Sequence, residues 1–269
     1  MNNSKLLWFS VLFVVTAVLY TSCTTVPITG RKQLNLLPES QLIGMSLVKY
    51  DSIIEANKLS TDVKSTNLVK GTGQKIAKAV EEYMAQNGLS SRLDGFVWEF
   101  NLLQDDTPNA WCMSGGKVVV YTGLLPYTQT AEGLAVVMGH EIAHAIARHG
   151  NERMSQQMGI QMGGAALSVA LSQKPEQTQQ IFMAAYGLGS QVGLMLPYSR
   201  THESEADKMG LIFMALAGYN PNAAIAFWER MAQSGGQKPP EILSTHPSDQ
   251  TRIDDLRAFI PEAMKYYRK

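Results

Sequence analysis

From Ala131 to Ala147 the chain is made of helix formers and apolar side chains, with Leu134, Val137, Met138, Ile142 and Ala145 among them. This pattern predicts a helix buried on much of its surface, around which the rest of the fold must be arranged. The same helix carries His140, Glu141 and His144. A buried carboxylate without a partner costs several kcal/mol, so the three polar residues need something in common to bind. Residues four apart share one helix face, about 6 Å apart along the axis, and both imidazoles can point at one ion. Glu141 lies about 100° further round, beside that ion without ligating it. A base must stand there to take a proton from metal-bound water. The spacing is that of the metallopeptidase motif H-E-x-x-H, which random placement would give roughly once in two hundred such chains.

Catalytic zinc takes three protein ligands, so a third should lie elsewhere. The segment Arg200-Thr201-His202-Glu203-Ser204-Glu205-Ala206-Asp207 supplies candidates. On a helix Glu203 and Asp207 share a face, while Glu205 points about 200° away from Glu203, toward solvent. Glu203 is the better ligand, with His202 as its rival, since imidazole also suits zinc. Asp207, one turn on, is placed to accept the free N–H of a ligating imidazole and fix its tautomer.

The stretch His140-Glu141-x-x-His144-Ala145-x-x-Arg148-His149-Gly150 is followed by Tyr198-Ser199-Arg200-x-x-Glu203-x-Glu205-Ala206-Asp207-x-x-Gly210, then by Thr245-His246-Pro247 and Arg252. Together these resemble the gluzincin peptidase family that includes HtpX, BepA and the zinc-dependent CAAX prenyl protease. Thr29 to Leu34, Asn109-Ala110 and Ser114-Gly115-Gly116 resemble its lipoprotein and periplasmic branch. The resemblance implies one Zn2+ per chain held by His140, His144 and Glu203, with Glu141 as general base. Asp207 and Arg200 would stand behind the ligands. With no helical-repeat domain before Lys269, docking of partners in the BepA manner is not expected.

Residues 1 to 22 carry one basic residue, Lys5, ahead of the apolar run Leu6 to Leu19, which is shorter than the ~20 residues that span a bilayer. This reads as a secretory signal ending at Leu19-Tyr20-Thr21-Ser22-Cys23, and lipidation of Cys23 is expected. Removing Lys5 leaves 22 basic against 23 acidic residues, a balance that argues against electrostatic binding of nucleic acid. With Thr24 and Thr25 after Cys23 there is no aspartate of the kind that retains lipoproteins in an inner membrane. The expected location is therefore a bacterial envelope, lipid-anchored and facing the periplasm, at the outer rather than the inner membrane. Cys112 is the one other thiol and cannot form an internal disulfide alone. Beside the site it is either an ordinary small buried side chain or an inhibitory thiolate, and the former is preferred.

The organisation expected is a signal peptide (1–22), a lipidated tether that packs back on the domain (23–37) and one catalytic domain (38–269). Ser40 to Asn57 and Thr61 to Asn87 read as helices, Phe96 to Leu102 and Gly116 to Tyr121 as strands, and nearly everything after Thr130 as helix. The fold class is α+β, a mostly helical zincin-like domain with a small sheet whose edge strand flanks the zinc helix. In peptidases of this type an extended substrate adds to that edge. Asn109 to Tyr121 is the expected edge, with Asn109, Gly115 and Gly116 lining it; the alternative is that the glycines only form a hairpin turn. Met158 to Leu196 is expected to pack around the zinc helix, or to form a lid over the cleft. His149, about 180° from His140 if the helix continues, is read as structural.

Pro247 holds His246 extended at the start of a helix continued by Ile253, Leu256 and Ile260. His246 then either steadies the oxyanion, occupies the fourth zinc position as a closing latch, or merely caps the surface; the latch is preferred. The function expected is a zinc endopeptidase in which Glu141 activates zinc-bound water to cleave misfolded or misassembled envelope proteins. The alternatives are a non-proteolytic periplasmic chaperone or assembly factor, and a peptidoglycan or small-peptide amidase.

Overall fold

A computed structural model describes residues 23–233, 246 and 250–268. The leader at 1–22, Thr245, Pro247 and the breaks expected near 235–240 lie outside the described residues. In chain order the elements are β1 (Cys23–Thr25), β2 (Lys32–Leu34), α1 (Glu39–Ala56), α2 (Val63–Gln86), β3 (Glu99–Leu103), β4 (Ala110–Met113) and β5 (Lys117–Tyr121). Then come α3 (Ala131–Ala147), α4 (His149–Leu171), α5 (Glu176–Ser190), α6 (Leu196–Leu216), α7 (Ala223–Gln233) and α8 (Gln250–Ala263). The chain divides into two compact units: Met1–Glu39 with Arg148–Thr201, and Ser40–Ala147 with His202–Lys269.

In the larger unit α2 starts where Asp62 accepts hydrogen bonds from the Lys64 and Ser65 amides, and the chain leaves it at Gly88, whose φ of +68° suits glycine. The sheet runs β3-β5-β4, with β5 parallel to β3 and antiparallel to β4. Its central strand buries Val118, Val119 and Val120 completely. Thus the expected edge, Asn109 to Tyr121, is only half right, for β4 is an edge and β5 is the centre. Asn109 anchors the end of the ladder, accepting the Tyr121 amide at 3.0 Å. Gly115 and Gly116, at φ +94° and +84°, make the turn between β4 and β5, and a Cβ on Gly116 would lie 2.9 Å from the Trp98 ring. The hairpin-turn alternative accounts for both glycines. The strand anticipated from Phe96 starts at Glu99.

Edge strand β4 lies against α3, which also packs on α2 and α7. Fourteen of the seventeen residues of α3 are buried, so the helix is the core of this unit. Its crossing with α6 is a backbone contact. A Cβ on Gly139 would come 2.9 Å from the Gly210 carbonyl oxygen, and one on Gly210 would come 2.8 Å from the His140 nitrogen. The absence of two methyl groups brings the two polar helix faces together.

The helix ends at Ala147, because Arg148 turns left-handed at φ +61°, and α4 begins at His149. His149 is therefore not on the helix of His140, although it is buried. In the smaller unit the β1–β2 hairpin leads into residues that dock on α4. Arg31 donates to both carboxylate oxygens of Glu152 at 2.8 and 2.6 Å, the Leu36 amide donates to Ser155 Oγ at 2.8 Å, and Asn151 donates to the Leu37 carbonyl at 2.8 Å. Helices α4 and α5 pair through Tyr186, whose ring fills the space beside Gly163 and Gly164 and whose hydroxyl donates to the Ile160 carbonyl at 2.8 Å. Within this unit α5 has no buried residue, and Met162, Val169, Ile181 and Phe182 are exposed. Among the described residues no helix is long and apolar enough to cross a membrane.

Candidate metal centre

Helix α3 presents His140 and His144 one turn apart, and α6 crosses it at Gly210 so that Glu203 and Asp207 face them. His246 joins from the segment ahead of α8. One ligand atom from each of His140, His144, Glu203 and His246 lies within 4.8 Å of all the others. His144 Nε2 is 3.1 Å and His246 Nδ1 3.2 Å from His140 Nε2. The Glu203 carboxylate is 3.4 Å from both His140 Nε2 and His144 Nε2, and 2.8 Å from His246 Nδ1.

His140 Nδ1 meets Asp207 Oδ1 at 2.9 Å; in the neutral ring, with the proton on Nδ1, this leaves a lone pair at Nε2 facing the other two rings. Converging lone pairs and a carboxylate repel one another unless a cation lies between them. Imidazole nitrogen with one carboxylate is a donor set that zinc takes. Burial opposes charge on His140, but its hydrogen bonds with Asp207 and Glu203 outweigh this and raise its pKa to about 9. Burial likewise opposes ionisation of Glu203, and the three histidines overcome it, holding the carboxyl far below the usual range.

Glu141 sits behind this cluster. Its Oε1 is buried without a hydrogen-bond partner among the described residues, and His246 Nε2 lies 3.5 Å from it. Burial pushes the Glu141 carboxyl up, partly offset by His246 and His140. A carboxylate of raised proton affinity, facing the cluster with a free oxygen, can take a proton there and give it back.

Arg252 of α8 was not foreseen as part of this site. It grips Asp207 with two bonds, Nε to Oδ2 at 2.8 Å and Nη2 to Oδ1 at 2.7 Å, and donates from Nη1 to the His246 carbonyl at 3.2 Å. Its guanidinium lies 3.7 Å from the centre of the Trp228 ring. Burial resists charge on Asp207, but Arg252 and His140 hold its carboxyl below the ordinary value. The sequence did carry a signal, because Arg252 precedes Leu256 by four residues and so falls in the apolar stripe of its helix. An arginine there needs a buried anion.

Arg200, expected beside Asp207, is exposed and has no hydrogen bond or ion pair among the described residues. Arg252 has that place. Glu205, expected in solvent, is buried, because α6 is covered on most sides from His202 onward. His202 is buried too but is not in the cluster. Cys112 is partly buried on β4, and burial, with the Glu141 charge second, pushes its thiol well above the ordinary value. It is a poor thiolate and is not in the cluster.

Residues 71–260 match the description of Peptidase family M48. The chain is 32% identical over 250 residues to the mitochondrial metalloendopeptidase OMA1 of Schizosaccharomyces pombe, covering 91% of this chain and 68% of that protein. It is 29% identical to the mitochondrial metalloendopeptidase OMA1 of Homo sapiens, covering 96% of this chain and 49% of that one. With the beta-barrel assembly-enhancing protease of Escherichia coli it shares 32% identity over 60% of this chain and 34% of that one. For most of these relatives, then, the chain spans about half their length or less. The mitochondrial relatives overturn the location expected at a bacterial outer membrane. A basic residue before an apolar run reports affinity for an apolar phase, and does not name the compartment beyond it.

Proposed function

We propose that this chain, which belongs to peptidase family M48 and is a zinc metalloendopeptidase, holds its metal through His140, His144 and Glu203 and cleaves peptide bonds in misfolded or misassembled proteins. The observation that carries the reading is the convergence of His140, His144, Glu203 and His246 within 4.8 Å in front of the buried Glu141. Zinc, when bound there, supplies a Lewis acid for the scissile carbonyl and acidifies water. Glu141 takes the proton of the attacking water and later delivers it to the leaving amine. Asp207, held by Arg252, keeps the His140 proton on Nδ1 so that Nε2 stays a ligand. An extended substrate lies along β4, the sheet edge beside α3. The E. coli relative, a beta-barrel assembly-enhancing protease, supports a substrate class tied to protein assembly.

The test is digestion of an unfolded protein with and without chelator. Glu141→Gln should keep zinc and lose at least ~100-fold in turnover, since it removes proton transfer and spares the ligands. Full proteolysis by that variant, or digestion unaffected by chelator, defeats the reading; no digestion at all by the zinc-loaded chain would leave a chaperone that holds segments without cutting them.

His246 is assigned the latch, because its Nδ1 already meets Glu203 at 2.8 Å and its ring stands among the ligands. His246→Ala then raises turnover on an unfolded substrate while zinc is retained. A loss of turnover would make His246 an oxyanion donor instead. Attachment to a membrane through an acyl chain on Cys23 rests on the leader pattern and on the exposure of that thiol. Cys23→Ser should abolish palmitate labelling, and unchanged labelling refutes the assignment.

A further inference from the structure

The edge of the sheet opposite β4 is also open. Val97 and Glu99 donate their amides to Gly115 and Gly116, so by the period of two Trp98, Phe100 and Leu102 turn their backbone groups the other way. At one end that outer edge already holds a strand: Leu59 bridges Leu103 in antiparallel fashion, and the Ser60 amide donates to the Leu102 carbonyl at 2.8 Å. The amide and carbonyl of Phe100 have no partner among the described residues. Phe100 lines, with Trp98, Glu99 and Asn101, a groove of about 400 Å³ between β3 and α2.

The Phe100 ring forms the floor, seated on α2 where a Cβ on Gly73 would overlap it, and Trp98 stacks parallel to it. Lys70, Gln74, Lys78 and Glu81 form the wall, on one stripe of the helix. Both carboxylates of the groove are engaged. Glu81 accepts the Trp98 indole N–H at 2.8 Å, and Glu99 pairs with Lys117 at 3.0 Å. The lysines are less tightly held: Lys70 is exposed with no hydrogen bond or ion pair among the described residues, and exposed Lys78 has only a long ion pair, with Glu82 one turn on at 4.0 Å. They stand eight residues apart, about 12 Å along the helix.

We propose that this groove is a second docking site, for an extended polypeptide that pairs with Phe100 and carries carboxylates four residues apart. In an extended strand that spacing is about 13 Å on one face, matching the two lysines. The indole supplies an apolar seat for a side chain between them. The site binds without cutting, so it holds a protein chain at the sheet edge opposite β4.

The probe is a short fluorescein-labelled peptide of threonine and valine with two glutamates four residues apart, followed by anisotropy on the full chain carrying Glu141→Gln. Saturable binding is expected, insensitive to chelator. The exposed double substitution Lys70→Glu with Lys78→Glu should weaken it at least about tenfold, circular dichroism confirming an intact fold. N-methylation of the peptide amide that meets Phe100 should weaken it similarly, which attraction between charges alone would not. Absence of saturable binding, binding abolished by chelator, or an unchanged Kd after either modification overturns the proposal. None of these outcomes bears on cleavage at the zinc site.

Discussion

Helices α3 and α5 both carry alanine, glycine and large apolar residues, although α5 opens on five polar ones, Glu176 to Gln180. Yet α3 buries fourteen of its seventeen residues, whereas α5, with fifteen, buries none. Apolar content gives a helix the capacity to be buried; it does not supply a surface to be buried against. Around α3 that surface consists of β4, α2 and α7, while α5 has α4. The polar payload also differs. Desolvating His140 and Glu141 is tolerable only where Glu203, Asp207 and Arg252 surround them, so the chemistry of α3 requires a closed shell. Helix α5 has no such group to protect.

Breaking that shell should produce the largest effect. Arg252→Ala leaves Asp207 buried without its cation and is expected to cost about 3–5 kcal/mol in denaturant unfolding. Zinc affinity should fall ~10–100-fold as His140 loses its orientation. Arg252→Lys should recover only part, lacking the two-pronged grip on Asp207. An unchanged midpoint in Arg252→Ala would mean that the shell is not what holds α3. Next comes apolar truncation in the two helices. Ile142→Ala, at a fully buried position, should cost about 2–5 kcal/mol, whereas Ile181→Ser, on exposed α5, should stay within about 0.5 kcal/mol. Similar losses at both positions would erase the comparison and require a covered face on α5.

Much of the site was legible because metal chemistry imposes spacing. His140, Glu141 and His144 announced a helix and its burial together, and the i, i+4 relation of Glu203 to Asp207 pointed to one face. The end of α2 before Gly88 was legible too, since caps satisfy backbone groups locally, whereas its start, expected at Thr61, falls at Val63 behind the Asp62 cap. What escaped was set by contacts distant in sequence. Arg252 replaced Arg200 beside Asp207 because α8 returns to α6; its place in the apolar stripe signalled a buried anion but not which one. Glu205 was assigned to solvent from its angle on an isolated helix, but α6 is covered on several sides. The order β3-β5-β4 turned an expected edge into a centre, since alternation fixes which way side chains point and not which neighbour lies beyond.

The contact between Gly139 and Gly210 has a consequence for how the metal centre can vary. Where side chains separate two helices, their distance drifts as those side chains are exchanged, and the jaws of a site built across them drift with it. Here peptide groups rest on peptide groups, so the gauge is set by atoms common to every amino acid. Core exchanges elsewhere can proceed without resetting the bite of the ligands, while a single methyl at either glycine prises the jaws apart. The tolerance of the catalytic geometry thus resides in two positions that carry no chemistry of their own.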